Sequence, residues 1–383
     1  MRAINLYYPS KLSVGVACIN EFIDDVSGWD ISRIFVLSIP ELRPALEQFF
    51  EEIRQRGIKL SGDYSILTEP GNDDYYRVLE EARKHDPELV LGIGGGSVMD
   101  VAKLVAAQLH NSQSLEEITG INKLSGRNIM LVCMPSTSGT GSEASPNAIL
   151  LDEKEQLKKG IISPHLVPDM CYVDPELSLS VPPSVTAATG IDAFTHCLEA
   201  YINKNAHPMI DAYALEGMRL ISKSLEAAVR DGSNIQARSD LSLGSLYGGM
   251  CLGPVNTTAI HALSYPLGSE FHIAHGLSNA LLLPYVMEYN LPSAPERYAD
   301  VAEILGIRKT GSAGQIAERG IHAIKNLINS FGLPSTLSEI NIPKEAISGM
   351  AASAMKIQRL LVNNPREVKL EDALKIYTNA YSK

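Results

Sequence analysis

Through the first half of the chain, hydrophobic positions come in short unbroken runs: 33–38 (RIFVLS), 64–67, 89–93 (LVLGI), 129–134 (IMLVCM) and 170–173 (MCYV). Longer amphipathic stretches at 40–56, 75–85 and 97–108 separate them. Apolar runs of this length alternating with helical patterns predict βαβ units and a parallel sheet covered on both faces. The rhythm changes at VPPSVTAATG, a Pro- and Gly-marked boundary beginning at Val181. Beyond it, periodic alanine- and leucine-rich segments predict helices at 193–201, 208–230, 234–250, 276–287, 294–305 and 314–331, with helical character continuing to Tyr381. The expected architecture is an α/β domain over 1–181 and an all-α domain over 182–383, with a ligand cleft between them.

Two of the strand ends lead into glycine-rich turns. LVLGIGGGSVMDVAKLVAA reads as strand, turn and helix. There Gly94, Gly95 and Gly96 bare the backbone N–H groups, and the helix from Ser97 offers its positive end to a phosphate. The pattern Gly92-x-Gly94-x-x-Ser97 nearly fits the dinucleotide fingerprint but closes on serine. A second loop, MPSTSGTGSEAS, follows the next strand, and its Thr137 and Ser138 hydroxyls suit ribose or phosphate contacts. Each loop alone also fits a ligand-free turn or a Ser/Gly surface loop, but two at strand ends of one sheet favour a nucleotide-binding, Rossmann-like α/β half.

The helical half carries Asp192 and His196 four apart in GIDAFTHCLEAY, on one helix face, and His261 and His275 fourteen apart. One carboxylate and three imidazoles suit a divalent ion such as Fe2+ or Zn2+ and can leave a coordination position for substrate oxygen. Read singly, each histidine also fits a capped or core residue, and the Asp/His pair a surface pair.

Net charge is −11 and the longest basic runs are as short as Lys158-Lys159, read as a solvated loop, so no nucleic-acid or anionic-membrane partner is expected. Five widely spaced cysteines without a CxxC suit a reducing compartment. Cys197 adjoins His196 but is expected on another helix face. The opening MRAINLYYPSKLSVG has no apolar stretch after a basic start, and no uncharged apolar run is long enough to span a bilayer. A cytoplasmic protein is expected.

The order GGGSxxDxAK (94–103), PSTSGTGSE (135–143), GIDAFTHCLEAY (190–201) and HALSYPLG…HGLSNALLLP (261–284) resembles the iron-containing (group III) alcohol dehydrogenase family almost end to end. The resemblance implies a dehydroquinate synthase-like superfold: a dinucleotide-binding α/β domain, a helical domain and a metal between them. It implies Asp192, His196, His261 and His275 as ligands of Fe2+ or Zn2+. Gly95, Gly96 and Ser97 are implied at the pyrophosphate of NAD or NADP, with Asp100 close by, while Lys103 reads as a solvated helix residue. Thr137 and Ser138 match a family Thr-Thr pair, and Lys159 stands near a family lysine beside the nicotinamide. The implied activity is hydride exchange between nicotinamide and a small, polar alcohol or aldehyde, such as a short diol or hydroxyaldehyde, in a homodimer.

Two positions depart from the family pattern. Ile39 occupies the end of the first cofactor strand, where NAD-preferring members carry Asp, so a 2′-phosphate is not repelled. Tyr265 replaces a histidine of the substrate site; it donates a hydrogen bond but is a poor proton acceptor at neutral pH. The substrate pocket is expected to draw on 249–258, Tyr265, His272 and Asn363–Asn364. The competing readings are a glycerol-type polyol dehydrogenase and an inactive nucleotide-binding paralogue.

Overall fold

Six parallel strands organise the first unit of the computed structural model, which describes residues 2–382. That unit is Leu6–Val181; the second runs from Pro182 onward and takes in residues 2–5. The strands of the first are β1 (Lys11–Val14), β2 (Arg33–Leu37), β3 (Lys59–Asp63), β4 (Leu89–Gly94), β5 (Gly120–Ile121), β6 (Met130–Pro135), β7 (Asn147–Asp152), β8 (Leu157–Ile162) and β9 (Met170–Val173). The main sheet has the order β1-β9-β6-β4-β2-β3, and β5-β8-β7 form a small second sheet around an antiparallel β7–β8 hairpin.

Alternate residues of the central strands enter different cores. Ile34, Val36, Leu89, Leu91, Val132 and Met134 join Phe22, Leu46 and Phe50 from helices α1 (Ile19–Ser27) and α2 (Arg43–Gln55). Phe35, Leu37, Val90, Leu131 and Cys133 join Tyr75, Leu79, Met99 and Val105 from α3 (Asn72–His85) and α4 (Gly96–Gln108). Cover on both faces is why these strands read as unbroken apolar runs. The order reverses between β2 and β4, and their carboxyl ends carry Ile39 and the glycine turn. Ligands of open α/β sheets gather at such a switch point.

The expected strand at 64–67 is a misreading. The strand is the preceding β3, KLSGD, an edge strand with partly exposed residues and therefore no apolar signature. The edge strand β1 and the β7–β8 hairpin escaped for related reasons, the first alternating in exposure and the second burying one face only.

Past the short α5 (Leu115–Ile118), the second unit is helical: α6 (Pro183–Ile202), α7 (Pro208–Arg230), α8 (Ile235–Leu252), α9 (Ala259–Phe271), α10 (His275–Asn290), α11 (Pro295–Ile304), α12 (Ala313–Ser330), α13 (Ile347–Ala354), α14 (Gln358–Leu361) and α15 (Leu370–Asn379). The stretch read as a boundary is itself the first turns of α6, with Pro183 at the first helical position where a missing N–H costs nothing. Helix α9 had not been predicted, because its small residues and internal Pro266 resemble a loop. Among the described residues no helix is long and apolar enough to cross a membrane.

Candidate active site

Helix α6 is buried nearly all round, so its polar residues must find partners inside the protein. Asp192, His196 and Glu199, at spacings of four and three, share one stripe of it. Helix α9 starts with Thr258 as its N-cap residue and presents His261 in its first turn. Its C-cap His272 adopts the left-handed conformation at φ 56°, and the chain turns back so that His275 opens α10.

These elements bring the four predicted ligands together. One donor atom from each of Asp192, His196, His261 and His275 lies within 4.8 Å of the others. The His196 and His261 Nε2 atoms are 2.9 Å apart, and Asp192 Oδ1 lies 3.6 Å from His261 Nε2 and 3.8 Å from His275 Nε2. Gly248 of α8 backs this face: a Cβ there would stand 3.1 Å from His196 Cβ. Against the upward push of burial, the charges of His196 and His275, with His261 beside them, hold the Asp192 carboxyl well below the usual carboxylate range. Burial pushes His261 down, but Glu199 and Asp192 outweigh it and raise the imidazole to about 10.

Two residues that the sequence reading passed over complete this cluster. Glu199 is fully buried and accepts from Thr258 Oγ1 (2.7 Å), the Ile260 N–H (2.6 Å) and His261 Nδ1 (2.5 Å). It therefore caps the N-terminus of α9 and holds a proton on His261 Nδ1, so that Nε2 is the nitrogen a cation among the other donors would engage, displacing the second proton that the raised pKa keeps there otherwise. Its signal was available, since it stands three residues after His196 on the same helix. Asn279, one turn after His275, donates Nδ2 to Asp192 Oδ1 at 2.6 Å.

Tyr265 lies one turn beyond His261. It is 6% exposed, its ring is 6.1 Å from that of His275, and its hydroxyl accepts from Arg359 at 2.9 Å. Other expected pocket residues are placed differently. Asn364 is buried in reciprocal hydrogen bonds with Asn290, and Asn363 donates to the Thr257 and Arg359 carbonyls, so both tie segments together. His272 is exposed, and the Cys197 thiol is buried beside the Gly244 carbonyl, where burial pushes it up to about 12.

In the first unit Gly94 ends β4, Gly95 is the N-cap of α4, and Gly96 and Ser97 open it, with no side chain capping the exposed amides. Gly96 is required by close approach: a Cβ there would meet Thr140 Cγ2 at 2.6 Å. The same contact sets the 136–142 loop against the turn, with Thr137 Oγ1 3.5 Å from where a Gly95 Cβ would lie. Thr137 is partly exposed and Ser138 buried. Both Asp100 oxygens are engaged, by Ser142 Oγ at 2.6 Å and the Ile149 N–H at 3.0 Å, so Asp100 braces the loop.

Two lysine readings are corrected. Lys103 is fully buried rather than solvated, donating to the Ser145 and Asn147 carbonyls. Lys158-Lys159 belongs to β8, where pairing dictates position: Lys158 is buried against Glu69, and Lys159 pairs with Asp152 and Glu155. Ile39 is partly buried against both cores of the sheet.

Comparison with known proteins agrees across the whole chain. Residues 9–175 match the family described as iron-containing alcohol dehydrogenase, and residues 186–381 its C-terminal region. Long-chain-alcohol dehydrogenase 1 of Geobacillus thermodenitrificans is 35% identical, covering 100% of this chain and 98% of its own. The 1,3-propanediol dehydrogenase of Citrobacter freundii is 34% identical over 88% of this chain and 87% of its own. The solved alcohol dehydrogenase from Oenococcus oeni superposes with a TM-score of 0.95 at 30% identity, covering 99% of this chain and 100% of that one. By their names these relatives are dehydrogenases of alcohols. This chain belongs to the iron-containing alcohol dehydrogenase family.

Proposed function

We propose that Asp192, His196, His261 and His275 hold a divalent ion, Fe2+ or Zn2+, in a metal-binding domain spanning 182–383. The observation that carries this reading is the convergence of four donor atoms within 4.8 Å, with the His261 proton drawn to the far side by Glu199. Two imidazole nitrogens facing at 2.9 Å repel unless a proton or cation lies with them, so the donor set fits a cation. Bound there, the ion supplies Lewis acidity toward a carbonyl or alcohol oxygen.

The domain over 1–181 takes NAD or NADP, with Gly94, Gly95, Gly96 and Ser97 at the pyrophosphate and Thr137 and Ser138 beside it. The uncapped start of α4 and the loop packed against Gly96 form a cradle that fits phosphate. Ile39 brings no carboxylate against a 2′-phosphate, so both cofactors are admitted. Overall, aldehyde, NAD(P)H and a proton give alcohol and NAD(P)+. Glu199 fixes the His261 tautomer, Asn279 orients Asp192, and Tyr265 brings a hydroxyl to the substrate side of His275.

The substrate is a small alcohol or aldehyde. The enzyme works as a cytoplasmic homodimer: its cysteines are unbridged, and the edge strand β1 presents exposed Leu12 and Val14 to a second copy.

Anaerobic purification, elemental analysis and an NADH/NADPH oxidation screen on small aldehydes test the proposal. Near-stoichiometric metal is expected, with turnover that a chelator removes and Fe2+ or Zn2+ restores. His261→Ala should lose metal and at least ~1,000-fold in turnover, with cofactor binding by fluorescence titration largely kept. Substantial activity in that variant, verified metal-free, overturns the assignment.

A further inference from the structure

Arg359 presents an arginine without an anion. It is partly buried, and among the described residues its one side-chain hydrogen bond runs from Nη2 to the Tyr265 hydroxyl, with the guanidinium carbon 5.7 Å from the centre of that ring. A guanidinium carries five N–H donors in a planar fork shaped for a carboxylate or a similar oxyanion. Among the described residues Arg359 forms no ion pair, although the chain has 44 acidic residues against 33 basic ones.

Three other arginines of this unit spend their forks largely on the backbone. Arg238 donates to the Gly232 carbonyl and Thr186 Oγ1, and Arg319 to the Arg308 and Thr310 carbonyls. Arg366 stacks at 4.1 Å on Tyr289 and donates to that residue's carbonyl. Each of these ties backbone segments together. Arg359 instead binds only a side chain, and that side chain neighbours the candidate metal ligands.

Tyr265 is the link. It stands one helical turn after His261, its ring is 6.1 Å from the His275 ring, and its hydroxyl fixes one arm of the Arg359 fork. The remaining arms are left for something the chain does not supply. We infer that Arg359, held by Tyr265 beside the His261–His275 cluster, receives an anionic group on the substrate, so that the preferred aldehydes carry a carboxylate or similar oxyanion at the end remote from the carbonyl. The inference rests on the metal-dependent dehydrogenase reading above and narrows its substrate class. Arginine suits the task because a fixed fork both orients and selects, which would turn the charged end of a short substrate into a handle for its carbonyl.

The probes are succinic semialdehyde and its neutral methyl ester, given to the metal-loaded full-length enzyme with NADH and NADPH. The wild type should favour the acid in kcat/KM by at least ~10-fold, carried by KM, since a charge-assisted hydrogen bond forms with one probe only. In Arg359→Gln the acid-to-ester ratio should fall by about 10–100-fold, with Arg359→Lys between the two. Succinate, which cannot react, should bind the wild type in calorimetry and bind Arg359→Gln at least ~10-fold more weakly. If Arg359→Gln does not fold, the wild-type preference and Arg359→Lys carry the test. An ester turned over as well as the acid, or a ratio unmoved by either substitution, overturns the anion inference and leaves the dehydrogenase reading standing. No turnover of either aldehyde by metal-loaded enzyme overturns the anion inference, while the small-aldehyde screen above decides the dehydrogenase reading separately.

Discussion

Each unit of this protein buries a cluster of charges, and the two are resolved in opposite ways. In the α/β unit, Lys103 and Glu143 lie out of water beside a partly buried Asp100, and the cation is part of the chain: Lys103 Nζ donates to the Ser145 carbonyl (3.0 Å), Ser145 Oγ (3.3 Å) and the Asn147 carbonyl (2.8 Å), and lies 3.9 Å from Asp100 Oδ1. In the helical unit, Asp192 and Glu199 are equally buried among three histidines, with no lysine or arginine bonded to either carboxylate among the described residues. Buried charge alone therefore does not mark a ligand site. A cluster whose counter-ion is a fixed lysine is closed, whereas one held only by imidazoles, which can exchange a proton for a metal ion, is built to take one.

Removing the cation from the closed cluster should produce the largest effect. Lys103→Met leaves Asp100 with two neutral donors and no counter-charge in the protein interior. Breaking a buried pair from one side costs about 3–5 kcal/mol. Urea denaturation should register that loss, and a change below ~1 kcal/mol would mean that Lys103 is dispensable as a counter-ion and the contrast false.

Glu143 sharpens the contrast from within the closed cluster. Its Oε2 is buried without a hydrogen-bond partner, and burial raises the carboxyl from 4.5 to about 7. The fold therefore holds the protonated acid. As pH climbs past 4.5 the unfolded chain releases its proton first and stability falls, the penalty becoming complete above about 7. Glu143→Gln removes that penalty, so the variant should gain about 2–3 kcal/mol over the wild type at pH 8 and almost nothing at pH 4. Equal denaturation midpoints at both pH values would place Glu143 in contact with water.

How much could be read in advance follows the same division between closed and open features. The doubly covered strands β2, β4, β6 and β9 were legible because burial on both faces leaves unbroken apolar runs. Edge strands β1 and β3 were not, since half-exposed residues carry no such mark. The four converging side chains were nameable from helical spacing and motif order. Helix α9, which delivers His261, was hidden by its small residues and Pro266. The roles of Lys103, Glu199 and Arg359 depend on contacts 42 to 94 residues away along the chain, and no local pattern encodes partners at that distance.

The subtlest test asks whether the open cluster is arranged for a cation or merely tolerates one. Glu199 Oε1 takes two donors, Thr258 Oγ1 and the Ile260 N–H, while Oε2 takes His261 Nδ1. Glu199→Gln keeps the volume but has only one acceptor oxygen to serve both sides. If that oxygen faces Thr258 and Ile260, the amide NH2 confronts Nδ1 and pushes the His261 proton onto Nε2, the nitrogen proposed to meet the metal. If it faces His261 instead, the Ile260 N–H at the start of α9 is left with a donor opposite it. Either way affinity should drop by about 10–100-fold, or roughly 1.4–2.7 kcal/mol, in chelator competition for Zn2+. Nitrogen-15 NMR of the Zn2+-loaded protein, in which Nε2 no longer carries the second proton of an imidazole raised to about 10, reads the protonated nitrogen directly, with His261 Nδ1–H expected in the wild type and weakened in the variant. Unchanged affinity together with an unchanged tautomer would reduce Glu199 to a cap for α9, and the helical cluster would then differ from the α/β one only in lacking a lysine.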